Sequence, residues 1–137
     1  MTREEVYDEI RQIFGEVPGF FQKLPDSSLE LEWHTWKRVE MDEGAIPNKY
    51  RQLIGVAVAA AHGCPFCVFY HTEAARLNGA TDDELEEAVH FAKSTMGWST
   101  YIRGVQIPLE EFKDEVRRAV EYVRQHQLAG AAVGGGM

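Results

Sequence analysis

Residues 46–89 read IPNKYRQLIGVAVAAAHGCPFCVFYHTEAARLNGATDDELEEAV and carry the clearest structural signals in the chain. Pro47 suits the first turn of a helix, because the N–H that proline lacks would be unpaired there anyway. A second helix follows from the CPFC tetrapeptide and ends at an Asn-Gly pair typical of helix C-termini. Thr81 and Glu84 then form a capping box, in which both side chains accept exposed backbone N–H groups. The segment therefore predicts three successive helices.

The sequence before this segment is also helical in pattern. Residues 2–15 place Val6 and Ile10 on one face, with Thr2 as the N-cap and a glycine as the stop. A further helix is predicted over residues 27–43, and its inward face is expected to hold Leu29, Trp33, Trp36 and Val39. The connector between these two helices contains two prolines and is expected to be irregular.

The rest of the chain completes an all-α prediction. The small apolar residues from Gly55 to Ala61 indicate a helix buried between close neighbours. The helix after Thr81 is expected to kink or break at Gly97, and a last helix covers residues 108–128. Since no stretch carries a strand signal, we expect a single-domain multihelical bundle of about six helices, assembled into an oligomer.

Length and charge limit the possible functions. A chain of 137 residues fits one domain, which we place at residues 1–128, with a flexible tail at 129–137. The net charge of −8 argues against nucleic acid or an anionic membrane as a partner, since both select basic surfaces. The N-terminal sequence lacks an apolar signal core, so we expect a cytoplasmic protein.

Both cysteines of the chain lie on the helix that begins at CPFC. Cys64 and Cys67 are three residues apart, and His71 follows four residues later, so all three share one helical stripe. Cys64 is placed at the N-cap or first turn, where the helix dipole and unpaired N–H groups favour a thiolate. A C-x-x-C pair can close into a disulfide across one turn, and a neighbouring thiol can trap a sulfenic acid. These residues favour redox chemistry.

Other interpretations of the same residues stay open. Two sulfurs and two nitrogens from His62, Cys64, Cys67 and His71 could bind zinc, although structural zinc sites usually draw their ligands from two separate segments. His71 alone could be a core histidine bonded to a carbonyl, and His62 could cap the preceding helix. The four-residue spacing from Cys67 to His71 favours a catalytic role for this histidine.

The segment over residues 46–89 resembles the core of the alkyl hydroperoxidase D-like, carboxymuconolactone decarboxylase superfamily. The resemblance lies in C-x-x-C-x-x-x-H and in the run from Thr72 to Glu84 that follows it. It implies a helical fold that assembles into dimers, trimers or hexamers, and thiol-dependent peroxide reduction. It also implies that Cys67 becomes the sulfenic acid, that Cys64 resolves it to a disulfide, and that His71 belongs to a proton relay.

The chain departs from the family pattern at one position of this relay. Peroxidase members carry a glutamate twelve residues before the first cysteine, and that position is Gln52 here. A glutamine can orient an imidazole by hydrogen bonds, but it cannot accept a proton. Glu43 and Glu73 are carboxylates that could substitute.

We therefore predict a thiol-dependent hydroperoxide reductase or thiol–disulfide oxidoreductase, with Cys64, Cys67, His71 and Gln52 as its site residues. A small-molecule hydroperoxide is the expected substrate, and a thioredoxin-like or lipoyl-bearing protein the expected reductant. We expect no cofactor, no metal, no nucleic acid and no membrane partner, and a homo-oligomeric state. The alternatives are a non-catalytic zinc-binding or redox-sensing oligomer and a lyase of the carboxymuconolactone decarboxylase type.

Overall fold

The computed structural model describes residues 1–126, and every regular element in this range is helical. Its elements are α1 (Arg3–Phe14), α2 (Gly19–Gln22), α3 (Asp26–Trp36), a π-helical turn (Lys37–Met41), α4 (Asn48–His62), α5 (Pro65–Leu77), α6 (Asp82–Gly104) and α7 (Leu109–Gln125). The predicted all-α class is confirmed. One helix more than expected is present, because the connector between α1 and α3 contains the short helix α2.

The described residues divide into two compact units, Met1–Ala92 and a second unit that begins at Lys93, so the boundary falls inside α6. All the predicted site residues lie in the first unit. The single domain expected over residues 1–128 stays a prediction, and the flexible tail expected at 129–137 lies outside the described residues. Among residues 1–126, no helix is both long enough and apolar enough to cross a membrane.

The first hydrophobic cluster joins α1, α2 and α3. Its buried members are Val6, Ile10, Phe21, Leu29 and Trp33. Burying an apolar side chain of this size contributes about 1.5 to 3 kcal/mol. Phe21 lies on α2, so the segment predicted as irregular is helical because its aromatic side chain packs into this cluster. The inward positions Leu29 and Trp33 are confirmed, whereas Val39 is mostly exposed.

The second cluster holds together the helices that carry the candidate site. Val56 of α4, Ala75 of α5 and Leu85 of α6 are buried against one another. The expected burial of the whole stretch from Gly55 to Ala61 holds for only one side of α4, because Val58 is 61% exposed.

The helix boundaries follow the predicted local signals. Thr2 and Glu5 form a capping box at α1, and Gly15 ends this helix with a φ of 83°, in the left-handed region that favours glycine. Thr81 and Glu84 make the reciprocal bonds of the expected capping box. The break expected at Gly97 is absent from the described structure, since α6 runs continuously to Gly104.

Candidate active site

The two cysteines lie at the N-terminus of α5. Cys64 is the N-cap residue, and its Sγ accepts the backbone N–H of Cys67 at 3.3 Å. Pro65 follows at the first helical position, as expected. Both cysteines are free thiols, and their sulfur atoms are 3.0 Å apart, within hydrogen-bond distance. The predicted placement of Cys64 at the start of a helix is confirmed.

The two thiols differ in acidity because they are hydrogen-bonded to each other and only Cys64 also accepts backbone N–H groups of the helix N-terminus. The thiol of Cys67 and the backbone N–H groups of Cys67 and Phe66 lower the pKa of Cys64. The hydrogen bond with Cys64 raises the pKa of Cys67, and burial and the charges of Cys64 and Glu40 raise it further. Cys64 is therefore the more acidic of the two thiols, as its place at a helix N-terminus favours.

His71 lies one turn further along α5 and is bonded to α4. Its Nδ1 is 2.7 Å from Oε1 of Gln52, a side chain that is only 3% exposed. The imidazole lies directly over Gly55, where an added Cβ would come within 2.5 Å of Nδ1. Glycine at position 55 is therefore what allows α4 and the ring of His71 to approach each other.

The hydrogen-bond chain continues from Gln52 to a carboxylate. Nε2 of Gln52 donates to Oε2 of Glu40 over 3.5 Å, a long bond. Glu40 belongs to the π-helical turn and is half-buried. Burial and, to a smaller extent, the charge of Glu40 raise the pKa of Tyr70 to about 12.

A cavity of about 440 Å³ contains one sulfur and the histidine. Cys67, His71, Gln52 and Glu40 supply its polar side together with Arg51 and His62, and its apolar lining includes Val39, Ile46, Ile54 and Val58. Within residues 1–126, neither ring nitrogen of His71 is hydrogen-bonded to a sulfur. A proton could pass between Cys67 and His71 only if a substrate or water bridged them or a side chain moved.

Cys64 lines a different and more open depression. This depression has a volume of about 610 Å³, and its lining includes Phe69, Thr72, Glu73 and Arg76. The bonded pair of sulfurs thus connects two accessible spaces, one shared with His71 and one beside Arg76. His62 lines the first space together with Cys67. Among the described residues, no three His, Cys, Asp or Glu side chains are grouped so that they could hold a metal ion.

The structure brings Gln52 and His71 together, as the family pattern implies. The carboxylate next to them, however, is neither of the two that the sequence analysis considered. Glu73 pairs with Arg76 beside Cys64, and Glu43 is exposed. Glu40 lies in the cavity instead. No spacing in the sequence relates Glu40 to Gln52, because the contact depends on how the π-helical turn packs against α4.

Comparison with known proteins agrees with this geometry. The carboxymuconolactone decarboxylase family matches residues 25–109, which include every residue of the candidate site. The chain belongs to this family. The fold is similar to that of the alkylhydroperoxidase AhpD core from Rhodospirillum rubrum, with a TM-score of 0.69 and 29% sequence identity over 79% of this chain and 82% of that one.

Two curated proteins are similar to this chain in sequence. The uncharacterized protein 4 in the cox locus of Paracoccus denitrificans is 36% identical over 64% of this chain and 74% of that protein. An alkyl hydroperoxide reductase of Mycobacterium tuberculosis is 35% identical over 57% of this chain, but the match spans only 23% of that protein. The expected superfamily is confirmed.

Proposed function

We propose that this family member is a thiol-dependent hydroperoxide reductase that cycles between a dithiol and a disulfide. The observation that carries the proposal is a pair of free thiols 3.0 Å apart, one of which shares a cavity with His71. Similarity to an alkyl hydroperoxide reductase and to an alkylhydroperoxidase core supports the same reaction class.

The reaction begins at Cys67, because this sulfur lines the cavity that contains the histidine. Cys67 gives up its proton to His71 through a bridging water or the bound hydroperoxide, and its thiolate attacks the terminal oxygen of the hydroperoxide. The O–O bond breaks, Cys67 is oxidised to a sulfenic acid, and the alkoxide leaves as an alcohol after taking the proton. The apolar lining from α4 suits the carbon chain of an organic hydroperoxide.

Cys64 then resolves the sulfenic acid. Its lowered pKa favours the thiolate form, and its sulfur lies 3.0 Å from that of Cys67. This thiolate attacks the sulfur of Cys67, a disulfide forms, and hydroxide leaves as water after protonation. A dithiol partner, thioredoxin-like or lipoyl-bearing, restores both thiols by exchange and is itself oxidised to a disulfide. We place its approach at the open depression that Cys64 lines.

The acidity of Cys64 also favours a second candidate function. A thiolate at a helix N-terminus can attack a substrate disulfide directly, without any peroxide. In that reaction Cys64 is the first nucleophile and Cys67 resolves the mixed disulfide. The two candidate functions therefore assign opposite roles to the same two sulfurs.

Single-cysteine variants distinguish these functions. With cumene hydroperoxide and excess dithiothreitol, Cys67→Ser should abolish peroxide consumption. Cys64→Ser should leave a sulfenic acid on Cys67 that dimedone traps and mass spectrometry locates. Full peroxide turnover by Cys67→Ser would refute the proposal. Loss of insulin-disulfide reduction in Cys64→Ser, with no peroxide turnover by the wild type, would identify the second function. A lyase would keep its activity in the double variant.

A further inference from the structure

Glu40 occupies a position that an ordinary continuation of α3 would not provide. The α-helix ends at Trp36, and residues Lys37–Met41 form a π-helical turn. A π turn holds an extra residue and changes the direction of the side chains that follow, and such turns are frequent at functional sites. This turn brings the carboxylate of Glu40 to the cavity that contains Cys67 and His71.

Side chains of α4 hold this turn in place. Arg51 and Asn48 donate hydrogen bonds to three backbone carbonyls of the segment, those of Val39, Met41 and Asp42. The bond from Arg51 to Val39 is 2.7 Å long, and that from Asn48 to Met41 is 3.0 Å long. Since the carbonyls on both sides of Glu40 are tied to the helix that carries Gln52, the two side chains are held close together.

A carboxylate next to Gln52 determines which end of its side-chain amide faces His71. A glutamine can present either its oxygen or its NH₂ group to an imidazole. An ionised carboxylate only accepts hydrogen bonds, so the NH₂ group of Gln52 must face Glu40 and the oxygen must face His71. The oxygen in turn requires a proton on Nδ1 of His71, and the neutral ring then has an unprotonated Nε2.

We propose that Glu40 is a positioning residue of this site, which acts through Gln52 to hold His71 as the Nδ1–H tautomer with Nε2 free to accept a proton. The use of that free nitrogen as the base for Cys67 rests on the proposed peroxidase function. The tautomer itself does not. Glutamine at position 52 is therefore compatible with a working relay.

Histidine-selective ¹⁵N labelling and NMR of the reduced full chain test the tautomer directly. The His71 signals are assigned by their absence in His71→Gln. We expect the wild type to show the Nδ1–H form at a pH where the ring is neutral. Glu40→Ala should lose this single form and show a mixture or the Nε2–H form. Glu43→Ala, which removes an exposed carboxylate three residues away, is the matched control and should keep the wild-type signals.

Exchanging the carboxylate at position 40 and the amide at position 52 tests whether Glu40→Ala acts only by disturbing the local structure. Glu40→Gln/Gln52→Glu keeps one carboxylate and one amide in contact, and its carboxylate can accept Nδ1–H of His71 directly. We expect this variant to recover the Nδ1–H form that Glu40→Ala loses. Wild-type His71 signals in Glu40→Ala would overturn the proposal. A double variant that retains native helicity but not the Nδ1–H form would overturn it as well.

The effect of Glu40 on the reaction of Cys67 with peroxide is measured in a separate experiment. In a Cys64→Ser background, Glu40→Ala should slow peroxide-dependent dimedone labelling of Cys67 by about tenfold or more, since general-base catalysis is worth about 10²- to 10⁴-fold. The Glu43→Ala control should stay within about twofold of its parent. If the parent shows no labelling, the proposed function fails while the NMR result still decides the role of Glu40. If the parent labels normally and Glu40→Ala labels equally fast, the role of Glu40 fails alone.

Discussion

At the scale of single residues, Gly55 is the position on which the geometry of His71 depends most directly. Alanine normally stabilises a helix relative to glycine by about 0.5 to 1 kcal/mol. At position 55, however, the new Cβ would lie 2.5 Å from Nδ1 of His71, so the ring must move. The bond from His71 to Gln52 cannot survive such a displacement unchanged.

We therefore predict that Gly55→Ala loses most of its peroxide turnover, at least about tenfold, while the chain stays helical. Gly97→Ala is the matched control, since this glycine lies within α6 and an added Cβ meets nothing within 4 Å. It should gain about 0.5 to 1 kcal/mol in stability and keep its activity. Turnover assays and thermal unfolding measure both effects. Full activity in Gly55→Ala would show that the position of the imidazole is unimportant.

The difference between the two sulfurs in acidity and in surroundings also belongs to this scale. The hydrogen bond with the Cys67 thiol and the backbone N–H groups of the helix N-terminus make Cys64 the more acidic thiol. The second of these contributions could be predicted from the position of Cys64 before Pro65. That Cys67 shares a cavity with His71 while Cys64 lines another space depends on side chains from α4. The more acidic sulfur is that of Cys64, whereas the sulfur that shares a cavity with His71 is that of Cys67. Peroxide reduction and disulfide exchange therefore assign the first attack to different cysteines.

At the scale of elements, a carboxylate on α1 ties this helix to the end of α3 and the π-helical turn. Glu9 accepts the indole N–H of Trp33 at 2.9 Å and a bond from Lys37 at 2.8 Å. The bond from Lys37 lowers the pKa of Glu9 the most, followed by that from Trp33. Because the folded pKa lies below the unfolded one, this stabilisation is fully present above the unfolded pKa of about 4.3 and is lost as pH falls through the folded pKa.

Glu9→Gln should accordingly cost about 1 kcal/mol at pH 7, a modest value because the ion pair is partly exposed. The difference from the wild type should shrink as the pH falls below about 4. Urea unfolding at several pH values, followed by circular dichroism, measures this trend. Glu32→Gln removes an exposed charge from α3 and serves as the control. A loss of stability in Glu9→Gln that stays the same at every pH would contradict the electrostatic origin.

At the scale of the whole molecule, large aromatic side chains remain uncovered in the single chain. Trp33 is fully buried in the first cluster, and Trp36 packs against it. Trp98 and Tyr101 are 63% and 62% exposed. Exposed apolar surface of this kind often marks an interface between proteins.

We predict that the protein is a homo-oligomer and that replacing both Trp98 and Tyr101 with alanine shifts it towards smaller species. Light scattering coupled to gel filtration at micromolar concentration gives the mass. Added salt should favour association, because it screens the repulsion between chains with a net charge of −8. A monomeric wild type at all salt concentrations would refute this expectation.

The sequence by itself determined the local features of this protein. Helix ends at Thr2, Gly15 and Thr81 follow from capping chemistry, which involves only neighbours along the chain. The common helix of Cys64, Cys67 and His71 follows from a spacing of three and four residues. These features could be predicted because a helical turn relates side chains at fixed short separations.

Only the tertiary structure decided what surrounds those residues. The contact of Glu40 with Gln52, the approach of Gly55 to His71 and the two separate spaces around the sulfurs each join different elements. Such contacts depend on how helices pack and on the phase change introduced by the π-helical turn, which no local pattern in the sequence records. A carboxylate can therefore reach the site from a position that the family spacing does not indicate.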